Sequence, residues 1–242
     1  MSMKNRHVLG EAVRHLILII LALYTLAPLL FLFVNAFKSN NEIIASPVAL
    51  PEHWTLQYIK TAMEAINFGK ALGLTFIITF FSILLLVIVS SFAAWAMVRS
   101  KTILSNIVFL CFTAAMLVPF QSLMYPLLSV FEKMGLKNVQ GLILMYGGFG
   151  LSMSVFLYHG FIKSVPASLE EAAVLDGANL FQMFFKVVFP LLKGTTVTVI
   201  VLNGMWIWND YLLPFLVIGN KTGSKTLTLE LYFAKLTSGQ YG

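Results

Sequence analysis

Five stretches of this chain carry almost no charge, and each is long enough to cross a lipid bilayer. Residues 16–37, 71–98, 102–131 and 138–162 contain no Asp, Glu, Lys or Arg, and residues 194–220 contain only Asp210. A helix rises about 1.5 Å per residue, so about 20 apolar residues cover a hydrocarbon core of about 30 Å. In lipid a helix satisfies its own backbone amides and carbonyls. The runs are continuous rather than alternating, which argues against a transmembrane barrel. The expected fold is all-α: a polytopic transmembrane helix bundle with five spans at those limits. Residues 163–193 form an excursion out of the membrane between the last two.

Composition agrees. The chain is 59% hydrophobic and only 11% charged, whereas a soluble domain carries about 25% charged residues. The first run is too long for a signal peptide, and Lys38-Ser39-Asn40-Asn41 follows it instead of a small-residue cleavage site. It is therefore expected to stay as the first span. Cys111 is single and lies within a span, and His7, His15, His53 and His159 are scattered, so neither a disulfide nor a metal site is expected. The net charge of +6 comes from Lys and Arg flanking the spans. Such residues anchor helices at the headgroups, and nucleic acid is not an expected partner.

Flanking charges fall evenly, eight Lys or Arg on each side. The first span usually decides orientation. Lys4, Arg6 and Arg14 precede it and Lys38 follows it closely, which places the N-terminus, and with it residues 163–193, in the cytoplasm.

The 163–193 segment differs from its surroundings. Ser168-Leu169-Glu170-Glu171 reads as a capping box opening a short helix, with Ala172, Ala173 and Leu175 along it. Asp176-Gly177 supplies a turn that needs positive φ. Asn179 and Gln182 repeat the box for a second helix, whose Phe181, Phe184, Phe185 and Val188 fall on one face. Pro190 ends it. Small residues beside first-turn acids suit the cleft of a soluble partner, and equally suit a self-capped connector.

Within the spans, Pro119 and Pro126 predict a bent helix or two half-helices around Gln121. Tyr146-Gly147-Gly148-Phe149-Gly150 reads as close helix packing. Asn203, Asn209 and Asp210 are the polar groups of the fifth run. Gln121, Asn203, Asn209 and Asp210 are the candidates for lining a translocation path. For Asp210, a hydrogen-bonding role near the interface competes with direct ligand contact. Leu56, Ile59, Met63 and Ile66 predict an interfacial helix after the first span.

Glu171-Ala172-Ala173, three residues, Gly177, nine residues, Val187 and then Phe189-Pro190 resembles the EAA loop of ABC importer permeases, with Val and Phe where the pattern has Ile and Leu. Ala36-Phe37-Lys38, Glu42-Ile43, Leu50-Pro51, Trp54-Thr55-Leu56, Val118-Pro119-Phe120-Gln121 and Trp208-Asn209-Asp210-Tyr211-Leu212-Leu213-Pro214 are similar to the carbohydrate-uptake (maltose/oligosaccharide, MalG-like) branch of that family. The resemblance implies a non-catalytic permease subunit of the bacterial cell membrane. It would pair with a homologous second permease, two ABC ATPase subunits and an external solute-binding protein. ATP and Mg would be bound by the ATPase partner and no cofactor by this chain. The coupling residues implied are Glu170, Glu171, Ala172, Ala173, Asp176 and Gly177. The family has six spans; five are visible here, so a final span is expected to be missing, the chain ending at Tyr241-Gly242 after an external loop. A non-sugar ABC permease and a secondary transporter are the competing readings. The second requires ionisable groups near mid-membrane, and no convincing pair is present.

Overall fold

The computed structural model describes residues 3–219 and 225–238, which are mostly helical with no strand among them. The expected end of the fifth span at Asn220, the flanking Lys221, and Tyr241-Gly242 lie outside the described residues. Two compact units are distinguished, Met1–Asn67 and Phe68–Ser238.

In the first unit, α1 (Met3–Asn35) is a 33-residue helix that includes Pro28. Its side chains from Leu16 to Phe33 are exposed on every face, the pattern of a helix whose solvent is lipid rather than water. The loop after it is closely tied. Ser39 and Glu42 form a reciprocal capping box on α2 (Asn40–Ala45). Glu42 also accepts from the Glu52 amide at 3.0 Å. The Ser39 amide, that of Glu52 and the Ser39 hydroxyl together hold the Glu42 carboxyl below its usual range. Lys38, buried, donates to the Ser46 and Pro47 carbonyls. The interfacial helix expected from Leu56 onward is α3 (Gln57–Ala65). Ile66 is buried at its end, while Leu56 and Met63 stay exposed.

The second unit is organised by α4 (Phe68–Ser100), α5 (Ile103–Ala115), α6 (Phe120–Lys133) and α7 (Val139–Ile162). The 102–131 run is not one continuous helix but two, as its prolines predict. It is broken between α5 and α6, which diverge by 106°. Pro119 is the N-cap of α6, in extended conformation, and its ring disfavours helical geometry at Val118, so α5 does not run on into α6. α4 and α7 form the central pair. Where Gly150 faces α4, an added Cβ would come within 2.7 Å of Leu86 Cδ1, and at Gly147 within 2.6 Å of Leu85 Cδ2. The glycine run is therefore a packing surface, as expected; Gly148, whose Cβ would meet nothing, is the exception.

The fifth run is also interrupted. α11 (Lys193–Asn209) ends at Asp210, and α12 (Leu212–Ile218) follows with Leu213, Val217 and Ile218 buried. Before α11 the chain forms α8 (Ser168–Leu175), α9 (Leu180–Met183), a π-turn (Phe184–Val188) and α10 (Phe189–Leu191), with a 76° bend at Leu192. The region expected as an external loop contains a helix instead, α13 (Leu227–Ser238). Its Leu227 amide donates to Thr75 on α4 at 2.8 Å, and its buried Leu229 adds apolar contact. Among the described residues, three helices have the length and apolar character to cross a bilayer, rising to five if each bent pair counts as one span.

Candidate functional site

α8 starts one residue earlier than expected. Ala167 is its N-cap, and the Glu170 and Glu171 amides both donate to the Ala167 carbonyl at 2.9 and 3.0 Å. The anticipated Ser168–Glu171 capping box does not form. Pro166 presets the backbone dihedral at the entry, so Ser168 is already inside the first turn, where its hydroxyl cannot serve as the cap.

The two glutamates have opposite fates. Glu170 is buried and clamped. Its Oε2 accepts from Trp95 Nε1 at 3.0 Å, and its Oε1 accepts from Arg99 Nε at 2.8 Å and pairs with Arg99 Nη2 at 2.7 Å. The same guanidinium donates to the Val165 carbonyl at 3.0 Å. Trp95 and Arg99 lie four residues apart on α4, hence on one helix face. They bolt the start of α8 to the end of α4. Glu171 is exposed, as are Ala172, Asp176 and Gly177, and Ala173 is half-buried. Leu175 is 88% exposed and Val174 57%. Beside this face lies a cleft of about 560 Å³, bordered by the Arg99–Glu170 clamp and by Ala167, Glu171, Val174, Leu175 and Met183.

The helix ends in a Schellman motif. The Ala178 amide donates to Ala173 O at 2.9 Å and the Gly177 amide to Val174 O at 3.0 Å, with Gly177 at φ +80°. A Cβ at Gly177 would touch nothing, so the cost of a side chain there is conformational alone, about 1–2 kcal/mol. Gly177→Val is therefore expected to lower the unfolding midpoint of the purified protein, and Gly177→Asn to lower it less, since Asn tolerates the left-handed region. Equal losses from both would contradict this reading of the turn.

Asn179 and Gln182 form the expected reciprocal cap. The greasy face behind it is only half as expected. Phe184 and Val188 are fully buried, Phe184 against Phe92 and Trp95 at centroid distances of 4.9 and 5.2 Å. Phe181 and Phe185 are exposed at 66% and 48%. The π-turn breaks the 3.6-residue register on which the four-residue face depended.

The polar candidates of the spans are not gathered at one point. Asn203 is buried and donates to Ser154 Oγ at 3.1 Å and Val199 O at 2.9 Å. Asp210 accepts from Tyr146 OH at 2.9 Å and from the Leu212 amide at 3.0 Å, so it pins the α11–α12 break to α7. Asn209 is exposed and bonds back to Met205 O, and Gln121 is exposed in the first turn of α6. Trp95, Arg99 and Tyr146 escaped the sequence reading. The available signal was the i, i+4 spacing of Trp95 and Arg99 at the end of a span.

Residues 87–239 match the family described as binding-protein-dependent transport system inner membrane component. The chain belongs to this family. Among its relatives, the probable starch degradation products transport system permease protein AmyC of Thermoanaerobacterium thermosulfurigenes is 46% identical over 215 residues, 89% of this chain and 78% of AmyC. The multiple sugar-binding transport system permease protein MsmG of Streptococcus mutans is 33% identical over 242 residues, 99% of this chain and 86% of MsmG. The fold resembles a chain in the crystal structure of a bacterial ABC transporter involved in import of the acidic polysaccharide alginate. The TM-score is 0.75 at 23% identity, covering 97% of this chain and 81% of that one. In this member of the family the matched region takes in α8, its Glu170–Arg99 clamp and the Asp210–Tyr146 bond.

Proposed function

We propose that this chain is the permease subunit of a binding-protein-dependent ABC importer for a sugar or oligosaccharide. It forms the membrane path with a homologous second permease. The α8 knob couples that path to two separate ATPase subunits, which bind ATP and Mg, and an external solute-binding protein delivers the substrate. No catalytic residue is assigned to this chain, and its N-terminus is cytoplasmic. The observation that carries the reading is the two-sidedness of α8: Glu170 locks it to α4, while Glu171, Ala172, Val174 and Leu175 face outward. A helix bolted to a span on one side and open on the other moves as one body with the span. ATP binding favours one arrangement of the ATPase, and the knob passes that preference to the bundle as a population shift. Asp176 and Gly177 shape its far end. Gln121, Asn203, Asn209 and Asp210 are the path candidates. The sugar class follows the starch degradation products and multiple sugars of the relatives' descriptions.

The test is reconstitution of the chain with its co-expressed permease, ATPase and binding protein in proteoliposomes. Labelled malto-oligosaccharides and other short oligosaccharides are expected to accumulate only when ATP and Mg are on the ATPase side and the binding protein is on the other. Accumulation driven by an ion gradient without ATP would overturn the proposal.

A further inference from the structure

A second cleft, also of about 560 Å³, opens where the C-terminal ends of α4 and α7 meet the start of α5. We propose that it holds the phosphate headgroup of an anionic phospholipid. Its polar lining is basic or neutral: Arg99, Lys101, Asn106, His159, Lys163 and Ser164, with no carboxylate among the lining residues. Arg99 is engaged by Glu170. Lys101 and Lys163 have no carboxylate within ion-pair distance among the described residues, so two cations border one concavity without a counter-charge. One aromatic ring organises this wall. Phe109 on α5 stacks on His159 with centroids 3.6 Å apart, and the Lys163 ammonium lies 5.8 Å from the same ring. The amide of Asn106 adds hydrogen-bonding capacity to the cleft.

A phosphate monoanion or diester matches this donor set. Two sources supply it, free phosphate and a lipid headgroup, and the surroundings favour the lipid. Ile103, Leu104 and Ile107 follow directly on α5 and are exposed at 80%, 69% and 52%. A headgroup in the cleft leaves its acyl chains against these residues, on the face of α5 that points away from the packed Phe109 and Phe112. Basic pockets between transmembrane helices bind anionic headgroups by this combination of charge and adjoining hydrocarbon. The cleft adjoins the one beside α8, with Arg99 and Ala167 lining both, but Lys101 and Lys163 line this one alone.

The assembled, detergent-purified complex would be titrated with phosphatidylglycerol and with phosphatidylcholine, and bound lipid counted by native mass spectrometry. Each lysine removed is expected to weaken phosphatidylglycerol binding about fivefold, and Lys101→Gln with Lys163→Gln together about 25-fold. Phosphatidylcholine should be unaffected. Lys101→Arg with Lys163→Arg should keep the lipid, which separates lost charge from damaged structure. Unchanged phosphatidylglycerol binding in the double Gln variant would overturn the site. Inorganic phosphate displacing phosphatidylglycerol at equal concentration would overturn the lipid assignment.

Discussion

Arg99→Ala is expected to free α8 from α4 and to collapse transport with it. The substitution strips the Glu170 carboxylate of two of its three contacts, leaving only that from Trp95, while keeping it buried, and it removes the donor to the Val165 carbonyl. Breaking one side of a buried ion pair costs about 3–5 kcal/mol, a large share of the roughly 5–15 kcal/mol that holds a typical domain together. The effect should show as a lower unfolding midpoint and as new protease cleavage between residues 163 and 193. Arg99→Lys should fall between, since an ammonium cannot reproduce the forked contacts of a guanidinium. Arg99→Met combined with Glu170→Met removes both desolvation costs together, and should recover much of the lost stability. A midpoint and cleavage pattern unchanged in Arg99→Ala would mean the clamp contributes nothing.

That clamp also shows where sequence reasoning stopped. The long apolar helices α1, α4 and α7 were legible because hydrocarbon imposes a length and an absence of charge, and their runs obey both. The break at Pro119 was legible because proline acts on its own neighbour. The Schellman glycine at 177 and the Asn179–Gln182 cap were legible for the same reason, being local. Glu170 and Glu171 were not separable: they are identical and adjacent. Which one turns inward depends on Trp95 and Arg99, more than seventy positions earlier. The exposure of Phe181 and Phe185 was hidden by the π-turn, since a helical-wheel argument assumes an unbroken register. The interruption at Asp210 was hidden too. A charge-free run reports hydrophobicity and not continuity, and only the bond from Tyr146 shows the acid holding a helix end. α13 was missed because Glu230 and Lys235 interrupt its apolar residues and Lys225 stands just before them, so no charge-free run marks it.

Glu171→Lys is expected to do what Arg99→Ala cannot: abolish uptake while leaving the subunit intact. Glu171 is exposed and shares none of the Glu170 contacts. Surface substitutions of that kind change folding stability by no more than about 0.5 kcal/mol, so membrane abundance and unfolding midpoint should match wild type. In the proposed assembly the same carboxylate faces a basic group of the ATPase. Reversing its charge replaces attraction with repulsion at a contact being desolvated, a loss of about 2–5 kcal/mol. That predicts at least a thirtyfold drop in co-purified ATPase at limiting concentration, with ATP-driven uptake falling in parallel. Glu171→Gln keeps the shape and some hydrogen bonding, so its loss should be smaller. The pair of variants separates the two glutamates by mechanism: one holds the knob to its own helix, the other presents it to a motor. If Glu171→Lys transports at the wild-type rate with normal ATPase recovery, the outward face of α8 is not the joint, and the coupling assignment fails although the fold and the family stand.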